Sequence, residues 1–240
     1  MDKYIITNEK NYLKGELKGY PLIGAEHKFD HKGKPLAFPG CSIISKIPLK
    51  SDLFYEIKSL QLKYKDLSPE QAYTYLPETS FHMTIFDCCN VNTVNTQYWP
   101  QDIVAENNYK KIAYELSKRI HKYIFPDKFD LKLKKLFGGY SLILEGNTKK
   151  DEKIIRDCRN KLSELLGIRF ENHDTYSFHI TLAYILRKLK DDEIEKLIKI
   201  NERLFERFLE KFPIIRMQKP VLCTFENMYE FKSTCINYSR

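Results

Sequence analysis

Residues 176–184 read YSFHITLAY and residues 80–86 read SFHMTIF, and they share one five-residue word, Ser-Phe-His, then Ile or Met, then Thr, at 177–181 and 80–84. Side chains on a β-strand point alternately to its two faces. As a strand, the first copy puts Ser80, His82 and Thr84 on one face and Phe81, Met83 and Ile85 on the other. The second puts Ser177, His179 and Thr181 opposite Phe178, Ile180 and Leu182. Each strand is apolar toward one side and offers an imidazole and hydroxyls toward the other.

The surroundings repeat too. Upstream of the first copy, CSIISKI at 41–47 predicts a strand bounded by Pro39-Gly40 and Pro48, and residues 51–64 predict a helix with Ser51 as its N-cap. Upstream of the second, YSLILEG at 140–146 predicts a strand, and 150–166 a helix stopped by Gly167. Ser42 lies 40 positions before His82, and Tyr140 lies 39 before His179. Downstream, a helix over 107–124 ends before Pro126 and leads to a strand over 129–137. Its counterpart over 191–211 ends before Pro213 and leads to strands near 214–217 and 220–225. Strand–helix–strand–helix–strand, twice, predicts a duplicated α+β architecture forming one bilobal unit over 1–240. The first repeat is 39–137, the second 138–232 and the N-terminal extension 1–38, with DHKGK at 30–34 as a turn between short strands.

The 240 residues are 42% apolar, 30% charged and 13% aromatic, which suits a folded core and argues against a disordered chain. Lys and Arg number 40 against 32 Asp and Glu, a net +8 that leans toward an anionic partner. No run approaches the ~18 apolar residues of a membrane span. The opening MDKYIITNEK lacks the apolar stretch of a secretory signal, so a soluble, cytoplasmic protein is expected, without an obligate protein partner. The six cysteines form no C-x-x-C pair and no zinc-finger spacing, and are expected as reduced, buried thiols. Neither a metal nor a cofactor is expected.

If a two-fold relates the halves, the polar strand faces meet across a cleft where His82, His179, Thr84 and Thr181 converge. Imidazole titrates near neutrality, so one ring can take a proton from an attacking water or ribose hydroxyl while the other protonates a leaving oxygen. Threonine hydroxyls can donate to the non-bridging oxygens of a phosphodiester, where charge must be stabilised. Ser80 and Ser177, two residues before each histidine, are candidate supporting groups behind the rings.

Paired H-x-T motifs, each closing one half of a duplicated α+β unit, resemble the 2H phosphoesterase superfamily. The SFHMT and FHITLAY forms, with Lys28-Phe29 and the Trp99-Pro100 loop, are similar to a less characterised branch of it, over roughly residues 20–231. The resemblance implies a pseudo-two-fold bilobal fold, with two antiparallel sheets lining a central groove and helices outside. It also implies metal-independent phosphodiester cleavage, with His82 and His179 catalytic and Thr84 and Thr181 binding phosphate. Related families act on 2′,3′-cyclic phosphates, cyclic phosphates of ADP-ribose, 2′–5′ linkages or RNA 3′ ends. The expected substrate is a nucleotide or RNA-terminal phosphodiester, foremost a 2′,3′-cyclic phosphate. An oligonucleotide-trimming exonuclease, a 2′–5′ phosphodiesterase and a nucleotide- or RNA-binding module without turnover stand as alternatives.

Three features lie outside the motifs. Residues 109–135 carry nine Lys and Arg against three acids, either a phosphate-attracting strip or a solvated face. Residues 87–106, with Trp99-Pro100, form a long polar loop that reads either as a lid or as a surface insertion with Trp99 tucked into the core. His173-Asp174, just before the second motif, reads as a solvated loop ahead of the alternative that it helps shape the groove.

Overall fold

The computed structural model describes residues 3–19 and 27–234; Cys235 lies outside them. Two short helices, α1 (Lys3–Thr7) and α2 (Glu9–Leu13), open the chain. Then come β1 (Gly40–Lys46), α3 (Asp52–Leu67), β2 (Tyr73–Tyr75), β3 (His82–Asn90), α4 (Tyr109–Ile120), β4 (Lys128–Phe137), β5 (Ser141–Gly146) and α5 (Lys149–Leu166). The last are β6 (Phe178–Thr181), β7 (Ala183–Ile185), α6 (Asp191–Lys211), β8 (Ile215–Gln218), β9 (Val221–Phe225) and β10 (Lys232–Ser233).

Local chemistry sets the helix bounds. Ser51 Oγ accepts from Phe54 N at 3.1 Å to start α3, and Thr148 and Asp151 form a reciprocal capping box on α5. Gly167, left-handed at φ 69°, ends α5 as expected. On α3, Leu53, Phe54, Ile57, Leu60 and Tyr64 share the buried face. The N-terminal helices were not foreseen. Glu9 ties them down by accepting from Gly138 N at 2.6 Å and pairing with Lys135 at 2.5 Å.

Eight strands form one antiparallel sheet in the order β10-β9-β1-β3-β6-β5-β4-β8, and β2 and β7 form a small second sheet. The two groove-lining sheets expected from the sequence are thus one continuous sheet, joined where Met83 of β3 pairs with Ile180 of β6. The sheet curls until its far ends meet. β8 lies beside β4 and β9 beside β1, yet only Lys219-Pro220 separates β8 from β9, and Ser45 Oγ on β1 donates to Gln218 O at 2.6 Å. Helices cover the outside: α4 packs on β1, β3 and β9, α5 on β4 and β5, and α6 on β4. Tyr64 OH on α3 donates to Asn201 Oδ1 on α6 at 2.6 Å.

Two further expectations change. The strand foreseen over 176–184 breaks at Leu182, whose N–H leaves the ladder for Tyr140 O at 2.7 Å, so β6 stays in the large sheet and β7 passes to the small one. The turn at 30–34 forms, with Asp30 Oδ1 accepting from Lys32 N and Lys34 N, but its flanks meet in a single bridge, Phe29 to Pro35, instead of two strands. Among the described residues no helix is long and apolar enough to cross a membrane.

Candidate active site

A cavity of about 860 Å³ lies along the inner face of the sheet, and His82, Thr84, His179 and Thr181 all line it. Strand pairing explains the convergence. Met83 and Ile180, both fully buried, are antiparallel partners. In that register His82 sits across from Thr181 and Thr84 across from His179, on the opposite face from Met83 and Ile180. The two histidines occupy one diagonal of this square, a relation for which ~7 Å between Cβ atoms is usual.

Both rings are held alike. His82 Nδ1 lies 2.7 Å from Ser80 O and His179 Nδ1 lies 2.9 Å from Ser177 O. A carbonyl oxygen only accepts, so Nδ1 carries the hydrogen in each ring, and Nε2 holds the lone pair when the ring is neutral. The serines thus serve through their backbone. Ser80 does not share the strand face of His82: it closes a 3₁₀ turn over Glu78–Ser80, is buried, and turns its hydroxyl to Pro77 O at 2.8 Å.

Burial holds the pKa of His82 down to about 4, against smaller upward pulls from the Ser80 carbonyl and Asp87. His179 is held well below the ordinary imidazole range, by burial above all, with His82 and Lys28 adding to it against the Ser177 carbonyl. Both rings are poised as neutral bases until a negative charge arrives between them. Phe231 packs on His82 at 4.1 Å between centroids. Lys28, stacked over Phe38 and Tyr184 at 5.2 Å from each ring, is a cation on the groove wall.

Four residues beyond the motifs shape the site. The pairing of β1 with β3 slips between Ile43 and Ile44, leaving Ile85 as an extra residue on β3, and slips again between Gly40 and Ser42. These bulges break the alternation, so His82, Thr84, Asp87 and Asn90 face the cavity while Phe86 is buried. Arg159 on α5, only 3% exposed, donates through Nη1 to the bulged Ile85 carbonyl. Its guanidinium lies 4.0 Å from the Tyr176 ring centroid. The Tyr176 hydroxyl neighbours the Thr84 side chain; burial raises its pKa by more than that neighbour pulls it down, so it remains protonated. Ser141, the β5 partner of Thr181, lines the cavity with its Oγ buried and without a hydrogen-bond partner among the described residues.

Sequence reasoning missed Arg159, Tyr176, Asp87 and Ser141. Arg159 left a signal, because it lies in the buried stripe of α5 with Ile155, Cys158 and Leu162, where a cation needs a reason. Cys88-Cys89, adjacent and both buried, marked a break in alternation on β3.

The remaining candidates settle elsewhere. His173 is buried instead of solvated: Nε2 meets Asn160 Oδ1 at 2.9 Å, and the ring lies edge-on to Phe86. In the basic strip, Lys111, Lys118, Arg119, Lys128, Lys132, Lys134 and Lys135 each pair with a carboxylate. None of the nine cations of the strip lines the groove. Trp99 is buried and donates to Ile103 O at 2.8 Å, while its neighbour Tyr98 reaches the cavity. Cys41, Cys88, Cys89, Cys158 and Cys223 are free and buried. Among the described residues no group of three or more His, Cys, Asp or Glu side chains is placed to hold a metal ion.

Comparison with known proteins bears on the family and the fold. Residues 28–139, with the first motif, match the family model 2H-phosphodiest, a domain of unknown function (DUF1868). The chain is also similar to the crystal structure of ATU0111, a conserved protein of unknown function from Agrobacterium tumefaciens str. C58. That match has a TM-score of 0.84 at 23% identity, covers 93% of this chain and 96% of the other, and extends the shared fold over both motifs. No curated protein matches the chain.

Proposed function

We propose, from the premise that the chain belongs through residues 28–139 to the 2H phosphoesterase family, that it hydrolyses a nucleotide or RNA-terminal phosphodiester, foremost a 2′,3′-cyclic phosphate. One observation carries this reading: a single strand register sets two imidazoles, each with Nδ1 on a backbone carbonyl, diagonally across a square completed by two threonines. The bound phosphate lies over that square. One ring, neutral, takes a proton through Nε2 from the attacking water, whose oxygen bonds to phosphorus. The other, charged, gives its Nε2 proton to the departing ribose oxygen as the P–O bond breaks. The phosphate's negative charge offsets the desolvation that keeps both free rings neutral, and so lets one of them hold a proton. Thr84 and Thr181 donate to the non-bridging oxygens, where charge builds in the pentacovalent state. Which ring begins protonated follows the direction of attack. The catalysis is independent of metal.

The duplication belongs to the same reading. The strand order is palindromic about the β3–β6 junction, with β1 and β9 on one side answering β5 and β4 on the other. This supports treating 39–137 and 138–232 as two copies that each contribute one histidine and one threonine.

The test is hydrolysis of 2′,3′-cyclic nucleotides in excess EDTA, with products resolved as 2′- or 3′-monophosphates. His82→Ala and His179→Ala are each expected to abolish turnover. Activity lost to chelator and restored by a divalent metal, or retained in either variant, overturns the proposal.

A further inference from the structure

The groove continues past the motif residues. Beyond Thr84, β3 presents Asp87 and Asn90 to it, and the segments after β3 and before β6 bring Tyr98, Phe170 and Asn172 to the same end. The rings of Tyr98 and Phe170 lie 5.0 Å apart and 28° from parallel, a stacked aromatic pair. The Asp87 carboxylate is half-buried and makes no ion pair or hydrogen bond among the described residues. It faces the cavity only because of the bulge at Ile85, whose freed carbonyl Arg159 holds.

These features select a ligand by chemistry. The Asp87 and Arg159 charges feel each other, but among the described residues no cation contacts the carboxylate directly, so it repels a second phosphate and this end takes a neutral group that offers donors. A stacked pair of rings favours a planar group. Amide side chains at Asn90 and Asn172 add hydrogen-bonding capacity beside it. A nucleobase meets all three conditions, stacked on the aromatic pair with its edge toward Asp87. The spacing fits. Thr84 and Asp87 are three strand positions apart, at most ~10 Å before the bulge shortens it, a span on the scale of a ribose phosphate to the far edge of a purine. Guanine presents two neighbouring donors, N1–H and N2–H, which the two oxygens of one carboxylate accept side by side. Adenine and cytosine offer one amino group there, and uracil one ring N–H.

We propose that this end of the groove is a base-reading subsite for a guanine nucleotide, with Asp87 accepting from N1–H and N2–H and the Tyr98–Phe170 pair stacked on the ring. The proposal rests on reading the histidine square as the phosphodiester site, and its test separates the two. The kcat/KM for guanosine and adenosine 2′,3′-cyclic phosphates is measured on the wild type, Asp87→Asn and Tyr98→Ala. Binding of guanosine and adenosine 3′-monophosphates is measured by calorimetry on the same proteins. The wild type is expected to favour guanine about tenfold or more, as a bidentate contact allows. In Asp87→Asn that ratio falls to near one, because the amide sets a donor against a donor; in Tyr98→Ala both substrates weaken together. Equal use of both bases by the wild type, or a ratio unmoved in Asp87→Asn, overturns the subsite and leaves the hydrolase standing. Guanine-selective binding lost in Asp87→Asn, with neither cyclic substrate turned over, overturns the hydrolase and upholds the subsite.

Discussion

Acidification is expected to destabilise the fold through its buried histidines. His82 and His173 each have a native pKa of about 4 against an ordinary value of 6.5. For His173 the cause is burial first, with the charges of Arg159 and Arg169 adding to it. Below pH 6.5 the unfolded chain binds a proton at each site that the native state refuses, so stability falls with falling pH until about pH 4, where both states are protonated. The 2.5-unit gap is worth about 3 kcal/mol per residue at its limit, and about 2 kcal/mol of it is lost between pH 7 and pH 5. The assay is equilibrium urea unfolding at half-unit steps from pH 7.5 to 4.5, on the wild type and on His173→Gln, which keeps a donor toward Asn160 Oδ1. The variant should lose about 2 kcal/mol of the fall between pH 7 and 5, whatever its stability at neutral pH. His173 is the informative choice because it lies outside the candidate site, so substrate chemistry does not enter the result. A wild-type curve flat over that window, or a variant curve of the same slope, refutes the reasoning.

Other expectations are as direct. Thr84→Val and Thr181→Val each remove a donor to the charge that develops on phosphate, and kcat/KM on a 2′,3′-cyclic nucleotide should fall roughly a hundredfold in each; parity with wild type would take the threonines out of the reaction. Tyr176→Phe deletes the hydroxyl that neighbours Thr84 and should lower kcat about tenfold, the scale of one lost polar contact beside the reacting groups, with KM nearly unchanged. Steady-state kinetics showing a change confined to KM would count against that positioning role. Gln61 Nε2 donates to Leu76 O and Leu182 O at 2.8 Å each, linking the approaches to both motif strands. Gln61→Leu should cost about 2 kcal/mol in urea unfolding by stranding a buried carbonyl, and a neutral result would mean that water replaces the amide.

Much of this was legible in the sequence because the signals are local. Ser51 and Gly167 marked helix ends through caps that need only neighbouring residues. The word shared by 80–84 and 177–181 marked the two strands that come together at Met83 and Ile180. What escaped depends on partners distant along the chain. The alternation rule predicted Ser80 beside His82, yet a 3₁₀ turn ends at Ser80 and the strand begins only at His82. Unbroken alternation would also set Phe86 toward the groove, but the slip of β3 against β1 presents Asp87 instead. Nothing near Leu182 shows that its backbone bonds to Tyr140 and Leu76 divert the strand into a second sheet. The basic strip looked alike for a binding face and a solvated one, because its meaning lay in which carboxylates came to meet it.

The two histidines are held alike, and their surroundings differ. Each histidine receives the same carbonyl on Nδ1 from two residues upstream, so each can serve as acid or base through Nε2. The threonines have different neighbours. Thr84 neighbours the hydroxyl of Tyr176, whose ring stacks on the buried Arg159, whereas Thr181 is the strand partner of Ser141, whose hydroxyl has no partner among the described residues. His82 is covered by Phe231, and the Tyr176 ring centroid lies 6.0 Å from that of His179. On the proposed reading the substrate is a nucleotide phosphodiester, which has no two-fold symmetry, so a site with identical corners would bind it in two orientations and misplace the attacking water in one. Differentiating the corners while keeping the rings equivalent fixes one orientation without giving up the acid–base pair. Arg159 touches both features, because it bonds the Ile85 carbonyl at the bulge that aims Asp87 and its guanidinium lies over the Tyr176 ring.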